Sequence, residues 1–529
     1  MDWSSVYENS GEERGNWEDY GETRSSRNAH RLLHRQPSSL SLLQQPQQAA
    51  ASSAQYSPAV AYAFTVNYIL GVGSLGVPYA FYRAGLVLGN VLIVLVTLVS
   101  YVTVMWVCES VARAQDARVL PSRCDETSPL KNDTRLSDAD ANSRNPIFST
   151  SQKKCICVLE TDAFFPEVTQ LCDKVLGSFG SKLYQVSLLG LMYGGLVGYS
   201  QVFVNTFLTQ VDHLGNWQLS SGHAVVVFAC IVLPLSCTDL TEQIYVQLTM
   251  SVVRFAALLI MIGSATCAMY GDPYDGGVGQ EDTAKELSPP FISTYSLVDW
   301  SGFGVMFSTG VFSQLFQHSV PGLLAPLGSK KQDKASVIFG STLLTTMVFY
   351  IALGSVCSLY FGPKLATSVN LNWAEFTWGR NESMSLVPMW LKLLSMIVVV
   401  FPALDTLSVF PLISVTLGDN MAAVMPKRWT QRGRKSSWKL FCRFGAALPP
   451  LLISVFVSDL SVTLQISGLM GIYVAFFAPA MLQLYACRAG SHKNVYSGMF
   501  SGTACVVGVL VFGMLALLIL LYQLVYQAA

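Results

Sequence analysis

The stretch Asn67 to Gly85, NYILGVGSLGVPYAFYRAG, contains Gly71-x-Gly73-x-x-Gly76, with Pro78 two residues further on. Glycines at this spacing let backbone N–H groups face an anion. One such chemistry is dinucleotide binding, but it needs a preceding strand, a following helix and a βαβ unit around them. Here the motif lies between AYAFTVNYIL and VPYAF, with a second apolar run directly behind, so that context is missing. Two readings remain. In one, the small residues let membrane helices pack closely. In the other, the helix is broken. An interior Gly costs about 1 kcal/mol relative to Ala, and an interior Pro about 3. Pro78 also removes an N–H and strands a carbonyl on the preceding turn. Unpaired backbone at membrane depth is tolerated only where it is buried in protein or lines a cavity. The weight lies with the broken helix, which predicts a binding site at mid-membrane.

A second stretch has the same character. FSTGVFSQLFQHSVPGLLAPLGSKK, Phe307 to Lys331, carries Gly310, Pro321, Gly322 and Pro326. It also carries the polar residues Ser308, Thr309, Ser313, Gln314, Gln317 and His318. Few membrane helices collect polar groups so densely. Three ionisable residues also fall inside apolar runs. Asp405, in FPALDTLSVFP, costs about 2.5–3.5 kcal/mol at a helix centre on insertion scales, so it needs a cavity or a partner. Either it pairs with Arg254 or Lys392, or it takes a proton or sodium together with Thr406 and Ser408. Arg254, in MSVVRFAALL, pairs with an acid or contacts substrate, and structural pairing is the favoured reading. His318 is either a proton relay or a hydrogen-bonded structural histidine.

The elements that must position these groups follow from composition. The 529 residues are 51% hydrophobic and only 12% charged, where soluble domains carry about 25%. Apolar stretches of about 20 residues are predicted to be membrane helices. They fall near 59–82, 86–108, 183–209, 221–237, 244–270, 301–325, 335–361, 387–417, 437–457, 462–487 and 499–526, which makes eleven predicted spans. The two interrupted stretches are the first and sixth of these, the places of the discontinuous helices in a five-plus-five inverted repeat.

Lys and Arg in the short loops set the orientation. With a cytosolic N-terminus, the inner loops hold twelve basic residues when the run Lys427–Arg443 is included. The outer loops hold four, Arg83, Lys285, Lys364 and Arg380. An odd number of spans then puts the C-terminus outside or in a lumen. The sequon at Asn381 falls in an outer loop and is the expected glycosylation site, whereas the one at Asn132 falls in the cytosol. Residues 1–57 read as a disordered cytosolic tail, and 58–529 as one membrane domain. Within it, 109–160 is a largely disordered cytosolic loop. Residues 161–182 form an amphipathic helix leading into the third span, capped by Thr161 or Asp162. Cys155 and Cys157 are ordinary loop cysteines, with acylation or metal binding as the alternatives.

The residues Asn67-x-Ile69-x-Gly71-x-Gly73-x-Leu75-Gly76, with Pro78, Ala80 and Gly85, resemble the first helix of the amino acid/auxin permeases. That family is an amino acid transporter transmembrane family within the amino acid–polyamine–organocation superfamily. EVTQLCDKVLGSFG resembles the lead into its third helix. FQHSVPGLLAPLGSKK, FPALDTLSVFPLISVTLGDN and SDLSVTLQISGLMGIYVAFFAPAMLQLYACR resemble one branch of the family in particular. The resemblance covers roughly 57–529. It implies an all-α polytopic membrane protein with a LeuT-like five-plus-five repeat of spans 1–10, an eleventh span, and alternating access. It also implies that an amino acid's carboxylate meets the backbone of Gly71, Val72, Gly73, Ser74, Leu75 and Gly76 near Asn67. Ser308, Thr309 and Ser313 would contact its amino group and side chain. Sodium-coupled relatives use first-helix carbonyls, the position of Asn67 and a hydroxyl of the eighth helix, which would be Thr406 or Ser408 here.

These readings converge on a secondary active transporter of amino acids or similar small zwitterions. It would need no cofactor beyond a proton or Na+ as coupling ion. Coupling would fall to Asp405, with Thr406, Ser408 and His318 as further candidates and Arg254 as a structural ion-pair member. The expected location is the plasma membrane or an endolysosomal membrane. The alternative is an amino-acid-sensing receptor whose tail or 109–182 loop recruits a cytosolic partner. Zero net charge and the lack of a basic stripe argue against nucleic acid. No nucleophile–base pair, metal-ligand cluster or phosphate loop stands in a usable context, so an enzyme is not expected.

Overall fold

A computed structural model describes residues 57–124, 166–214, 219–237, 244–270, 296–327, 331–376, 378, 388–424, 435–488 and 494–528. The tail, Cys155, Cys157, Thr161, Asp162 and both sequons, including Asn381, lie outside these residues. Among the described residues every regular element is helical.

Helix α1 (Pro58–Ile69) starts where Ser57 accepts a hydrogen bond from the Val60 amide, with Pro58 in the first turn. Helix α2 (Gly73–Ala84) follows after a bend of 57°. Helix α3 (Leu86–Cys124) continues well past the predicted end at 108. Helix α4 (Val168–Leu214) joins the amphipathic lead to the third span. The joint is Gly177, whose φ of 70° suits a residue without Cβ. Helices α5 (Ser221–Cys237) and α6 (Ile244–Tyr270) complete the first half.

The second half opens with α7 (Phe303–Gln314). The 3₁₀ turn Gln317–Ser319 separates it from the short α8 (Val320–Leu324), so the sixth predicted span is interrupted too. Then come α9 (Ala335–Phe361), α10 (Met389–Val424), α11 (Lys435–Phe456) and α12 (Leu460–Ile472). A π-helical turn at Tyr473–Phe477 leads into α13 (Ala478–Arg488), and α14 (Thr503–Ala528) ends the chain.

Among the described residues, seven helices are long and apolar enough to cross a membrane, and the bent pair α1–α2 makes an eighth. The shortfall from eleven has a physical reason. Helix α5 has only 17 residues, the apolar part of α11 is short, and α7–α8 is broken. Leu98, Val186, Leu259, Leu344, Leu393 and Leu518 are each more than half exposed along these helices. Apolar surface on that scale suits a lipid-facing belt and not an aqueous one. The protein is a multi-pass membrane protein.

Packing centres on the two interrupted spans. Helix α2 lies against α7 and α9, α12 lies against α7 and α4, and α10 lies against α4, α6 and α11. A Cβ at Gly468 of α12 would strike the Ser308 backbone of α7, so this crossing depends on a missing side chain.

Candidate functional site

The end of α1 leaves carbonyls that no helical turn can satisfy. Arg254, Tyr350 and the Gly71 amide supply the donors. The Ile69 carbonyl accepts from the Gly71 amide (2.9 Å) and from the Tyr350 hydroxyl of α9 (3.3 Å). The Asn67 carbonyl accepts from Arg254 Nη1 at 3.1 Å, and the Leu70 carbonyl accepts from the same nitrogen. The Asn67 side-chain oxygen is a further acceptor for Nη1, at 2.9 Å. Beyond the break, the Ser74 and Leu75 amides turn back to the Gly71 and Val72 carbonyls. The amides of Val72 and Gly73 find no backbone acceptor. The Val72 amide meets the Tyr199 hydroxyl instead, and N–H groups at the start of a helix suit an anion.

The other nitrogen of the same guanidinium, Arg254 Nη2, donates to both carboxylate oxygens of Asp405 at 2.7 Å. Both residues are buried, at 7% and 6% exposure. Of the two partners weighed for Asp405, Lys392 lies on the same helix. At 1.5 Å per residue it stands roughly 20 Å away along the axis. Arg254 therefore joins three elements, the end of α1, its own α6 and the middle of α10. A buried pair is tolerable only when the remaining donors are also satisfied. The α1 oxygens supply that for Nη1, whereas Nε is buried without a hydrogen-bond partner.

A small cleft, with about 20 Å³ of free space inside it, adjoins the break. Gly71, Val72, Ser74 and Leu75 form one wall. Arg254, Asp405 and Thr406 close its polar corner, and Tyr199 of α4 overlooks the break. The Tyr199 hydroxyl would stand 3.0 Å from a Cβ at Gly71 and faces the Val72 amide. The remaining walls are apolar side chains of α4, α6 and α10.

Other expected residues lie elsewhere. Asn67 faces Arg254 and does not line the cleft. Gly73 and Gly76 serve packing. A Cβ at Gly73 would collide with the Ser313 hydroxyl, and one at Gly76 with Leu464 of α12. Ser308, Thr309 and Ser313 are buried and do not line the cleft, while the Ser313 hydroxyl lies against Gly73 beside the break. The Ser308 hydroxyl donates to the Gly304 carbonyl within its own helix at 2.5 Å, and its backbone is pressed against Gly468. Thr406 donates to the Ala403 carbonyl at 2.7 Å and lines the cleft. Ser408 donates to the Asp405 carbonyl at 2.9 Å and does not. His318 sits in the turn after α7, its Nε2 3.3 Å from the Tyr68 hydroxyl, away from the cleft. The unwinding falls at Leu70–Val72 and not at Pro78, which lies inside α2.

Sequence reasoning missed Tyr199 and Tyr350. The Tyr350 hydroxyl reaches the Ser313 carbonyl (3.2 Å) as well as that of Ile69, and so links the ends of both interrupted helices. The available signal was a phenol in the middle of an apolar run, since a buried Tyr hydroxyl needs a partner. Also missed were the partners of the sixth-span glutamines. Gln314 donates to Thr97 (3.2 Å) and accepts from Thr346 (3.1 Å), and Gln317 donates to Thr103 (3.1 Å).

The chain matches the family described as transmembrane amino acid transporter protein over residues 55–118 and 163–526. It is 26% identical over 473 residues to transmembrane protein 104 of Mus musculus, covering 82% of this chain and 88% of that one. It is 24% identical over 471 residues to the transmembrane protein 104 homolog of Dictyostelium discoideum, covering 82% and 89%. This is the branch that the stretches in the sixth, eighth and tenth spans resemble. Among solved structures, the Eremococcus coleocola manganese transporter is similar at a TM-score of 0.41 and 11% identity, covering 88% of this chain and 84% of that chain. With more than half its length matched, a bent first span and a multi-pass helical fold, the chain belongs to the transmembrane amino acid transporter protein family.

Proposed function

We propose that this chain is a secondary active transporter carrying amino acids or similar small zwitterions by alternating access, coupled to a proton gradient. The observation that carries the reading is the 57° break, with the freed backbone of Gly71 and Val72 lining a cleft at the start of α2. The substrate carboxylate would sit on the N–H groups there, as anions do at half-helix N-termini. The two shorter apolar helices and the interrupted α7–α8 bring the spans to eleven, with the N-terminus cytosolic and the C-terminus outside or lumenal.

The coupling element is the Arg254–Asp405 pair. The α1 carbonyls expected to hold sodium are taken by a guanidinium, which stays charged at any working pH. That supports proton over sodium coupling. A coupled proton taken up at Asp405 would release Arg254 from α10 while leaving it on α1, so the first span could move against α10.

The test is gradient-driven flux. The purified full chain is reconstituted in liposomes and labelled amino acids are followed under an imposed pH gradient. Accumulation against the substrate gradient is expected. Binding without accumulation would overturn transport and favour the receptor reading. Asp405→Asn should abolish the response to pH, and an unchanged response in that variant would remove Asp405 from the coupling role.

A further inference from the structure

We propose that the cleft selects neutral amino acids with apolar side chains, and that Ala257, Met261 and Phe401 set the size it accepts. The proposal rests on the reading of the cleft as the substrate site. Its walls divide by chemistry. The break and the Tyr199 hydroxyl offer polar groups to the part every amino acid shares. The opposite side, where a side chain would extend, is built from Val202 of α4, Ala257, Leu258 and Met261 of α6, and Phe401 of α10. All five are buried and none brings a hydrogen-bonding side-chain atom.

The cleft does contain charge, but Asp405 and both terminal nitrogens of Arg254 are already engaged, which leaves only Nε without a partner. Asp405 gives both oxygens to Arg254 Nη2, and Nη1 is held by Asn67 and Leu70. A lysine or arginine substrate would have to draw Asp405 away from Arg254, and a glutamate would have to draw Arg254 away from Asp405. Either exchange leaves a buried charge without its partner, which a low-dielectric site strongly disfavours. A polar neutral side chain meets no donor or acceptor on the apolar side and loses its hydration. An apolar side chain loses nothing there.

Ala257 is the point of control, because it is the smallest side chain on that wall. Ala257→Phe would fill the cleft, and Met261→Ala would enlarge it. One methylene in a hydrophobic pocket changes discrimination by roughly tenfold or more, so both changes should be easy to read.

The experiment measures kcat/KM for labelled leucine, methionine, phenylalanine, alanine, glutamine, glutamate and lysine with the full chain in proteoliposomes. Leucine, methionine and phenylalanine should exceed glutamate and lysine by about tenfold or more. Ala257→Phe should cut their uptake by about tenfold relative to alanine, and Met261→Ala should raise phenylalanine relative to alanine. A preference for glutamate, lysine or glutamine would overturn the selectivity while leaving the transporter reading intact. So would an unchanged size order in two variants that both elute as monodisperse, folded protein. No uptake of any amino acid would overturn both readings.

Discussion

The first and sixth spans are interrupted by the same kinds of residue, yet the structure uses the two interruptions differently. At the first, the freed backbone of Gly71 and Val72 lines a cleft while three carbonyls are held by Arg254 and Tyr350. At the sixth, the two glutamines are taken up by neighbours: Gln314 by Thr97 and Thr346, Gln317 by Thr103 and the Phe316 amide. The first behaves as a site and the second as a hydrogen-bonded joint. Glycine, proline and polar side chains therefore mark where a membrane helix stops being regular. Whether the freed groups face a ligand depends on which neighbours reach them first.

The comparison breaks most decisively at Arg254. Arg254→Ala leaves Asp405 buried without a partner, at a cost of about 3–5 kcal/mol, visible as a large drop in thermal unfolding temperature in detergent and loss of transport. Replacing both members, Arg254→Met with Asp405→Leu, should restore most of that stability, because apolar substitutes for a buried pair are often neutral. Transport should stay lost. A double variant that transports normally would show the pair to be structural only.

At the sixth span, Gln314→Leu removes two hydrogen bonds and should cost about 1–3 kcal/mol while leaving substrate KM unchanged. A raised KM at unchanged stability would make the second break a site as well. Tyr350→Phe removes the hydroxyl that links the two helix ends. The expected loss is about 1 kcal/mol, and measured transport should slow without a change in which amino acids compete. The smallest effect belongs to Ser313. Its buried hydroxyl has no hydrogen-bond partner, so Ser313→Ala should be neutral or slightly stabilising. Loss of uptake in that variant would return the serine to the substrate.

How far the site was legible follows from the same residues. The break in the first span could be read because Gly71 and Pro78 are costly in a regular membrane helix. The sequence could not separate breaking from packing, since both need a missing side chain. The structure uses Gly73 and Gly76 for close approach and unwinds at Leu70–Val72. The need of Asp405 for a partner was legible from its cost in lipid. Which partner was not, because Arg254 lies 151 positions away and spacing carries no information at that distance. In the sixth span, helical period stops predicting direction once the helix is interrupted, so Ser308, Thr309 and Ser313 could not be assigned to a face. Tyr199 and Tyr350 escaped notice because a tyrosine in an apolar run does not show whether its hydroxyl meets lipid headgroups or backbone.

The central claim is that Arg254 serves as a built-in cation at the broken first span. The most direct test is the initial rate of amino acid uptake into proteoliposomes at fixed external pH, with sodium present or replaced by choline, with and without an inward proton gradient. The rate should be indifferent to sodium and rise with the proton gradient. A rate that requires sodium and ignores the proton gradient would contradict it.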